Sequence, residues 1–303
     1  MILLSKKSEE ILENIKSLRP DIKVSIEPRK GLEAINGSLG EHKIDDNTNH
    51  SSIIIDSEHI GNEAVISHEL LHCYMYVAGY PKLRVMNSDN DIVAFNATNI
   101  ENVLAHKIIQ KKQDEYMIDT DEFNKNFVLN LGKNVDEEPD DFEKQFKFSF
   151  KILDAKIRCN GLEVLYEDEL SIKFPVSFSI ASQLYNAIKD YDFIDPYSYR
   201  RAMIKMMRTC EKLLQENRIA IRFNELISTE FIPSKRQLTL LVDQVFDVKT
   251  FDIEKSQSCI LISKAENQTS YFLHFENDFD VDNLKRMSVE ALLNRINPRY
   301  VMR

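Results

Sequence analysis

The chain has 303 residues but only seven glycines, and it contains no tryptophan. Phosphate-binding loops of the P-loop and Rossmann kinds need several glycines at fixed spacing, because the backbone must approach the phosphate closely. The sequence contains no glycine-rich segment of that kind, and no Ser, His and Asp order that indicates a serine hydrolase. These absences exclude the common nucleotide-binding folds and argue against a serine hydrolase.

Cysteines and long apolar runs are also scarce. No two cysteines form a CxxC pair, which predicts reduced, mostly buried thiols and not a disulfide framework. The four are Cys73, Cys159, Cys210 and Cys259. No apolar run is long enough to span a bilayer, and the charges near the N-terminus do not follow the order of a secretory signal. We therefore expect no membrane partner and a cytoplasmic location.

Positive charge is the third deficit, since the formal net charge is -10. A nucleic-acid-binding protein neutralises phosphates with a basic surface, so this balance disfavours a nucleic-acid partner. One predicted helical face is nevertheless basic, with Arg201, Lys205, Arg208 and Lys212 spaced four, three and four apart. We interpret it as a solvated face that pairs with acidic groups. The alternative is a docking surface for an acidic partner or a nucleic acid.

Local patterns in the first half predict a strand followed by two helices. The segment "SSIIID" at residues 51–56 is β-branched and apolar, which indicates a short buried strand. An apolar helix over residues 62–78 follows and ends before Gly79. A second helix is predicted from Asn99 to Tyr116.

The second half mixes helices and strands, so the predicted fold class is α+β. In this half we predict a hairpin or loop over residues 163–174, a strand over 236–246, a hairpin over 258–275 and a closing helix over 280–296. An acidic run with a proline, "DEEPDDFE", is typical of a linker. We therefore predict an N-terminal domain over residues 1–135 and an accessory domain over 136–303.

The motif that carries chemistry lies inside the predicted helix 62–78. His68 and His72 are four residues apart, and Glu69 follows the first of them, which makes an HExxH motif. Residues i and i+4 lie on one face of a helix, so both imidazoles can face one metal ion. Glu69 is rotated by about 100° from His68. That position suits a base that takes a proton from a metal-activated water. The alternative is a pair of ordinary helix histidines.

The strand "SSIIID" followed by "NEAVISHELLHCYMYVAGYP" resembles the zincin metallopeptidases, and the small IrrE-like bacterial zincins more than the large secreted ones. The resemblance covers about residues 20–120 and is specific at His68, Glu69 and His72. It implies a zincin-like N-terminal domain, in which the HExxH helix packs on a small sheet and a second helix supplies a third ligand. It also implies Zn2+ as the cofactor, His68 and His72 as ligands, and Glu69 as the general base.

The third ligand has two candidates in "NIENVLAHKIIQ", on the predicted second helix. We favour His106, and Glu101 is the alternative. The two are five positions apart, about 140° around a helix, so they face different sides. Members with a glutamate ligand often have an acidic residue four positions later, but Ala105 stands there. The glycine and histidine that metzincins carry close behind HExxH are also absent.

These features predict a zinc-dependent metallopeptidase that hydrolyses peptide bonds, with metal-activated water and Glu69 as the general base. The acidic, glycine-poor composition favours a specialised intracellular or regulatory protease. Its partner is then a protein or peptide substrate, and the accessory domain offers a surface for a further protein partner. The alternative is a non-catalytic metal-binding regulatory protein that retains a zincin shell. Glu69 favours the enzyme, because a scaffold needs no carboxylate beside its first ligand.

Overall fold

A computed structural model gives the fold of most of the chain. It describes residues 3–32, 39–45, 47–86, 91–131, 135, 137–159, 161, 164–193, 195–253, 256–275, 280–296 and 299–303. Helices and small sheets are both present in this part, so the fold class is α+β, as predicted. None of its helices combines the length and the apolar character that crossing a bilayer requires.

Helices make up most of the regular structure of the described residues. In chain order they are α1 (Lys6–Leu18), α2 (Glu63–Val77), α3 (Asp91–Glu115), α4 (Asp121–Asn130), α5 (Phe142–Arg158), α6 (Val164–Lys173), α7 (Pro175–Ile188), α8 (Pro196–Glu216), α9 (Phe223–Leu226), α10 (Lys235–Leu238), α11 (Val242–Val245), α12 (Val281–Arg286) and α13 (Val289–Ile296). The strands are β1 (Lys23–Arg29), β2 (Gly40–Asp45), β3 (His50–Asp56), β4 (Leu83–Val85), β5 (Ile227–Thr229), β6 (Phe246–Ile253), β7 (Ser256–Ser263) and β8 (Gln268–Phe275). A short 3-10 helix spans Ser57–His59.

The chain forms two compact units that alternate along the sequence. The first unit comprises Met1–Ala78, Ala105–Glu137 and Asp154–Glu169, and the second comprises Gly79–Leu104, Glu138–Leu153 and Leu170–Arg303. Helices α3 and α5 each contribute to both units, and α3 changes unit at Ala105. The boundary predicted at residue 135 lies close to one of the points where the chain passes between units. The first unit nevertheless includes a later segment, Asp154–Glu169.

The first unit contains a three-stranded sheet in the order β1-β3-β2. Strand β1 runs parallel to β3, and β2 runs antiparallel to it. Three consecutive isoleucines of β3, Ile53 to Ile55, are buried, so both faces of this strand are covered, and the predicted buried strand is confirmed. Helix α2 contacts β2 and β3, and it also contacts α1, whose Ile11 and Ile15 are buried.

Helix α2 has the bounds that the sequence predicts to within a residue. The side chain of Asn62 accepts hydrogen bonds from the N–H groups of Ala64 and Val65, which caps the first turn. Gly79, just beyond the helix, has a φ of 79°, a left-handed conformation that glycine adopts without steric cost. Ten of the fifteen helical residues are buried, so the surrounding structure covers this helix on most of its sides.

The second unit is built around two antiparallel sheets. Strands β4 and β5 form one pair, and β6, β7 and β8 form a meander in that order, which confirms the predicted hairpin over β7 and β8. A buried cluster that includes Phe246, Leu261 and Leu293 joins the meander to the short helices near it. Helix α7 packs on α8 in the same unit. The four cysteines are thiols, and Cys73, Cys210 and Cys259 are buried, as predicted.

The strand predicted over residues 236–246 is wrong. Helices α10 and α11 occupy most of this segment, and the strand β6 begins only at Phe246. Each of the two helices buries apolar residues, Leu238 in α10 and Val242 and Val245 in α11. A capping box between Ser234 and Gln237 starts the first of these helices.

One further prediction of element type is wrong, and two helices differ from the prediction in their bounds. Residues 164–173 form helix α6 where a hairpin or loop was expected (residue 163 lies outside the described residues), and the buried Leu170 and Phe174 have helical spacing. Helix α3 begins at Asp91, eight residues before the predicted start. The closing helix is divided into α12 and α13, because Met287 between them has an extended backbone, with ψ of 147°.

Candidate metal centre

Helix α2 supplies the first three polar residues of the site. His68 and Glu69 are 8% and 6% exposed, so the fold buries an imidazole and a carboxyl group side by side. The apolar residues around them hold the helix in the core: Leu70 and Leu71 are almost fully buried. The burial of polar groups is expensive unless they have partners or a function. This helix therefore presents a polar strip that packing alone does not explain.

Helix α3 supplies the third histidine, His106. The register of α3 against α2 is fixed by Gln113, which lies about two turns beyond His106 on the same face of α3. The Gln113 side-chain amide donates hydrogen bonds to the carbonyl oxygen of Ala64, at 2.9 Å, and to the hydroxyl of Ser67, at 2.8 Å. Ser67 directly precedes His68, so these two bonds hold the His106 segment beside the HExxH motif.

The three histidines form one cluster. One ring nitrogen from each of His68, His72 and His106 lies within 4.8 Å of the other two. The Nε2 atoms of His68 and His72 are 3.3 Å apart. The His106 ring centroid is 4.9 Å from that of His68 and 5.8 Å from that of His72. Nitrogen atoms bind zinc at about 2.0–2.1 Å in a tetrahedral arrangement. These separations are therefore compatible with three ligands around a single ion.

The protonation state of the cluster suits a metal. Burial lowers the pKa of His68 and of His72 well below the usual value, and it also lowers the pKa of His106. The nearby charge of Arg158 acts in the same direction on all three. Neutral imidazoles keep the nitrogen lone pair that a metal needs. Three such donors leave a fourth position open, as in catalytic zinc sites.

Asp154, near the end of α5, orients the third histidine. Its Oδ1 atom lies 2.5 Å from Nδ1 of His106, so the Nδ1–H group donates to the carboxylate and Nε2 keeps its lone pair. Burial opposes the ionisation of Asp154, but Arg158 and His106 outweigh it and lower the pKa of this carboxyl to about 2. The aspartate is therefore charged, and this arrangement is the carboxylate–histidine pair that commonly supports a metal ligand.

Arg158, the last residue of α5, lies against the same histidine. Its Nε donates to Oδ2 of Asp154 at 3.0 Å, and its Nη2 lies 3.1 Å from Nε2 of His106. The guanidinium carbon is 4.8 Å from the ring centre of Phe127 and 5.6 Å from that of Phe123. The side chain is only 10% exposed, so a fixed positive charge is buried beside the cluster.

Glu69 lies beside the start of strand β2. A Cβ atom placed on Gly40 would be 2.7 Å from Cγ and 2.8 Å from Oε1 of Glu69, so only glycine leaves room for this carboxyl group. Burial raises the pKa of Glu69 to about 8, while Arg158 lowers it and Glu41 adds to the rise. A carboxyl whose pKa is shifted in this way beside three histidines is typical of a group with a chemical role.

Glu101, the alternative third ligand, is not part of the histidine cluster. It belongs to the second unit, where its carboxylate accepts a hydrogen bond from the N–H group of Leu83 at 2.9 Å. Of the two candidates, His106 is therefore the one that the fold brings to His68 and His72. The assignment of these residues as zinc ligands stays a prediction.

The sequence patterns alone do not reveal four residues of this neighbourhood: Gly40, Gln113, Asp154 and Arg158. Asp154 and Arg158 are four apart on a helix, which is the ordinary spacing of a surface ion pair. Gly40 falls in a segment that is rich in turn residues. No local signal distinguishes these residues from ordinary surface or loop positions.

Comparison with known proteins gives no further identification. Neither a protein-family model, nor a curated protein, nor a solved structure matches this chain.

Proposed function

We propose that this chain is a zinc-dependent metallopeptidase of the zincin type. In this proposal His68, His72 and His106 hold Zn2+, and Glu69 is the general base. The observation that carries the proposal is a cluster of three histidines, one buried and two partly buried, beside a buried carboxyl group that directly follows the first of them. A three-histidine set with an open fourth position is one of the known arrangements of catalytic zinc.

The residues of the chain divide the work of hydrolysis. When bound, zinc polarises the substrate carbonyl and acidifies a water molecule. Glu69 accepts the proton of that water and later delivers it to the leaving amine. Arg158 lowers the pKa of Glu69 and so opposes the effect of burial, which favours the ionised, basic form of this carboxyl group. Asp154 holds His106 in the tautomer that presents Nε2.

The sheet favours an extended polypeptide as the substrate. Strand β2 is at one edge of the sheet formed by the described residues, and its first residue, Gly40, lies against Glu69. Extended peptides bind to sheet edges through main-chain hydrogen bonds. A peptide that adds to β2 in this way is carried past the base, which supports peptide-bond hydrolysis over reactions of small molecules.

The test is metal content combined with hydrolysis. We expect one zinc per chain in the wild type and in Glu101→Ala, and loss of zinc in His72→Ala and His106→Ala. Glu69→Gln is the matched variant for chemistry, because it keeps the shape of the side chain and removes the base. It should retain zinc but cleave a library of unstructured peptides at least about 100-fold more slowly.

Two results would contradict the proposal. Wild-type protein that takes up no zinc would remove it altogether. Zinc uptake together with equal peptide cleavage in wild type and Glu69→Gln would refute the mechanism. A zinc-loaded wild type that cleaves no peptide in the library would favour the non-catalytic regulatory alternative.

A further inference from the structure

Arg158 is a buried cation whose only role in the proposed function is to lower the pKa of Glu69. Its charge acts on all three histidines and on Glu69. Nη2 lies 3.2 Å from Nδ1 and 3.1 Å from Nε2 of His106, the latter being the atom free to bind a metal. Because these two distances are almost equal, Nη2 lies against the imidazole and not along the lone pair of Nε2, which stays available for a metal. The position indicates a task at the reacting centre.

The orientation of this guanidinium is fixed by its neighbours. Asp154 accepts from Nε, and the rings of Phe123 and Phe127 flank the planar group. In the described part of the chain Nη1 donates no hydrogen bond, so its N–H groups remain for a ligand. A preorganised cation in a water-poor site stabilises developing negative charge without reorganisation at the moment of reaction.

We infer that Arg158 binds the oxygen of the scissile carbonyl as it becomes negatively charged. This inference rests on the proposed metallopeptidase function and adds a second catalytic residue to it. The contact of Nη2 with His106, at 3.1 Å, favours the reacting oxygen over a more remote carboxylate at the end of a substrate. A terminal carboxylate lies at least one residue away from the bond that is cleaved.

The step balances in atoms and charge. The water oxygen forms a bond to the carbonyl carbon while its proton passes to Glu69. The π electrons of the carbonyl move to its oxygen, where the guanidinium of Arg158 donates hydrogen bonds. When the C–N bond breaks, that electron pair returns to re-form the C=O bond. The amine nitrogen leaves with the proton that Glu69 carried.

Other candidates for this role are engaged elsewhere in the first unit. Tyr116 accepts a hydrogen bond from Asn14, and the ring of Tyr74 faces Lys112. His42 is nearer, with its ring centre 6.3 Å from that of His72, but its Nε2 lies 2.9 Å from the hydroxyl of Ser51. Arg158 alone among these residues combines a permanent charge with contact to a proposed ligand.

The closing experiment measures anion binding by the zinc-loaded protein, with inorganic phosphate as the probe. Phosphate affinity is measured by calorimetry in wild type, Arg158→Gln, Arg158→Lys and Arg19→Gln. Arg19 is the matched control, because it is a similarly enclosed arginine of the same unit, with its guanidinium 4.9 Å from the Tyr76 ring. We expect phosphate binding to weaken on the order of 10- to 100-fold in Arg158→Gln and less in Arg158→Lys, with no change in Arg19→Gln.

Zinc content and peptide kinetics complete the design. Both Arg158 variants should keep one zinc per chain, and Arg158→Gln should lower kcat by about 100- to 1000-fold with little change in KM. Equal phosphate affinity in wild type and Arg158→Gln would overturn the inference while leaving the zinc site intact. Loss of zinc in both variants would also overturn it, because Arg158 would then serve to assemble the ligands. Failure of the metallopeptidase proposal is seen separately, as absent zinc in wild type or unchanged cleavage in Glu69→Gln.

Discussion

Replacement of Glu69 by glutamine should stabilise the metal-free protein at alkaline pH. The carboxyl is 6% exposed, and burial raises its pKa from 4.5 to about 8. The folded state therefore holds this proton more tightly than the unfolded state does. Stability is greatest below the unfolded pKa and is lost as the pH rises through the folded pKa, because folding then requires burial of a charge. Glutamine has no such proton and escapes this loss.

The magnitude follows from the two pKa values. At about 1.4 kcal/mol for each pH unit between 4.5 and about 8, the wild type loses about 5 kcal/mol in total. About 3 kcal/mol of this falls between about pH 5.5 and 8.5. Since many small domains have a stability of only about 5–15 kcal/mol, such a loss is a large fraction of the total.

The assay is urea unfolding with a chelator, followed by circular dichroism, since the chain has no tryptophan. The difference in unfolding free energy between Glu69→Gln and wild type should grow by about 3 kcal/mol from about pH 5.5 to 8.5. Glu13→Gln is the control, because it removes an exposed carboxylate from α1 of the same unit. A difference that stays constant with pH would refute the reasoning, since the carboxyl would then titrate alike in both states.

Two further changes test the surroundings of the site. Asp154→Asn should weaken zinc binding by about 10- to 100-fold, measured by competition with a chromophoric chelator. The physical reason is that a neutral amide replaces the carboxylate that accepts the Nδ1–H hydrogen bond of His106. Unchanged affinity would show that His106 needs no such partner. Gly40→Ala should retain zinc but lose peptide cleavage, because the new Cβ displaces Glu69, whereas Gly61→Ala, where a Cβ meets nothing within 4 Å, should behave as wild type. Equal cleavage by both glycine variants would contradict the packing argument.

The sequence allows prediction of the part of the site that is local. His68, Glu69 and His72 lie within five consecutive residues, and helical geometry alone brings the two histidines to one face. His106 is predictable only as one of two options, because the choice depends on which turn of α3 faces α2. The hydrogen bonds of Gln113 to α2 settle that register in the structure.

The remaining contributors are long-range and carry no local signature. The spacing of Asp154 and Arg158 in the sequence is that of a surface ion pair on a helix. In the structure, α5 places both residues beside His106. The errors in secondary structure have a similar origin. In residues 236–246 the apolar run fits a strand by composition, whereas the structure forms two four-residue helices there, the first of which starts at the capping box of Ser234 and Gln237.

The order of the two units along the chain has a consequence for any attempt to isolate the candidate site. A fragment of residues 1–135 contains all three histidines and Glu69, yet it lacks Asp154 and Arg158, which belong to the same compact unit. We expect this fragment to bind zinc at least about 10-fold more weakly than the full chain, measured by the same chelator competition, because His106 loses its carboxylate partner. The full chain carrying Asp154→Asn is the matched comparison. Zinc affinity in the fragment equal to that of the wild-type chain would contradict this view. It would show that residues 1–135 form a complete metal site and that the contribution of α5 is confined to steps after metal binding.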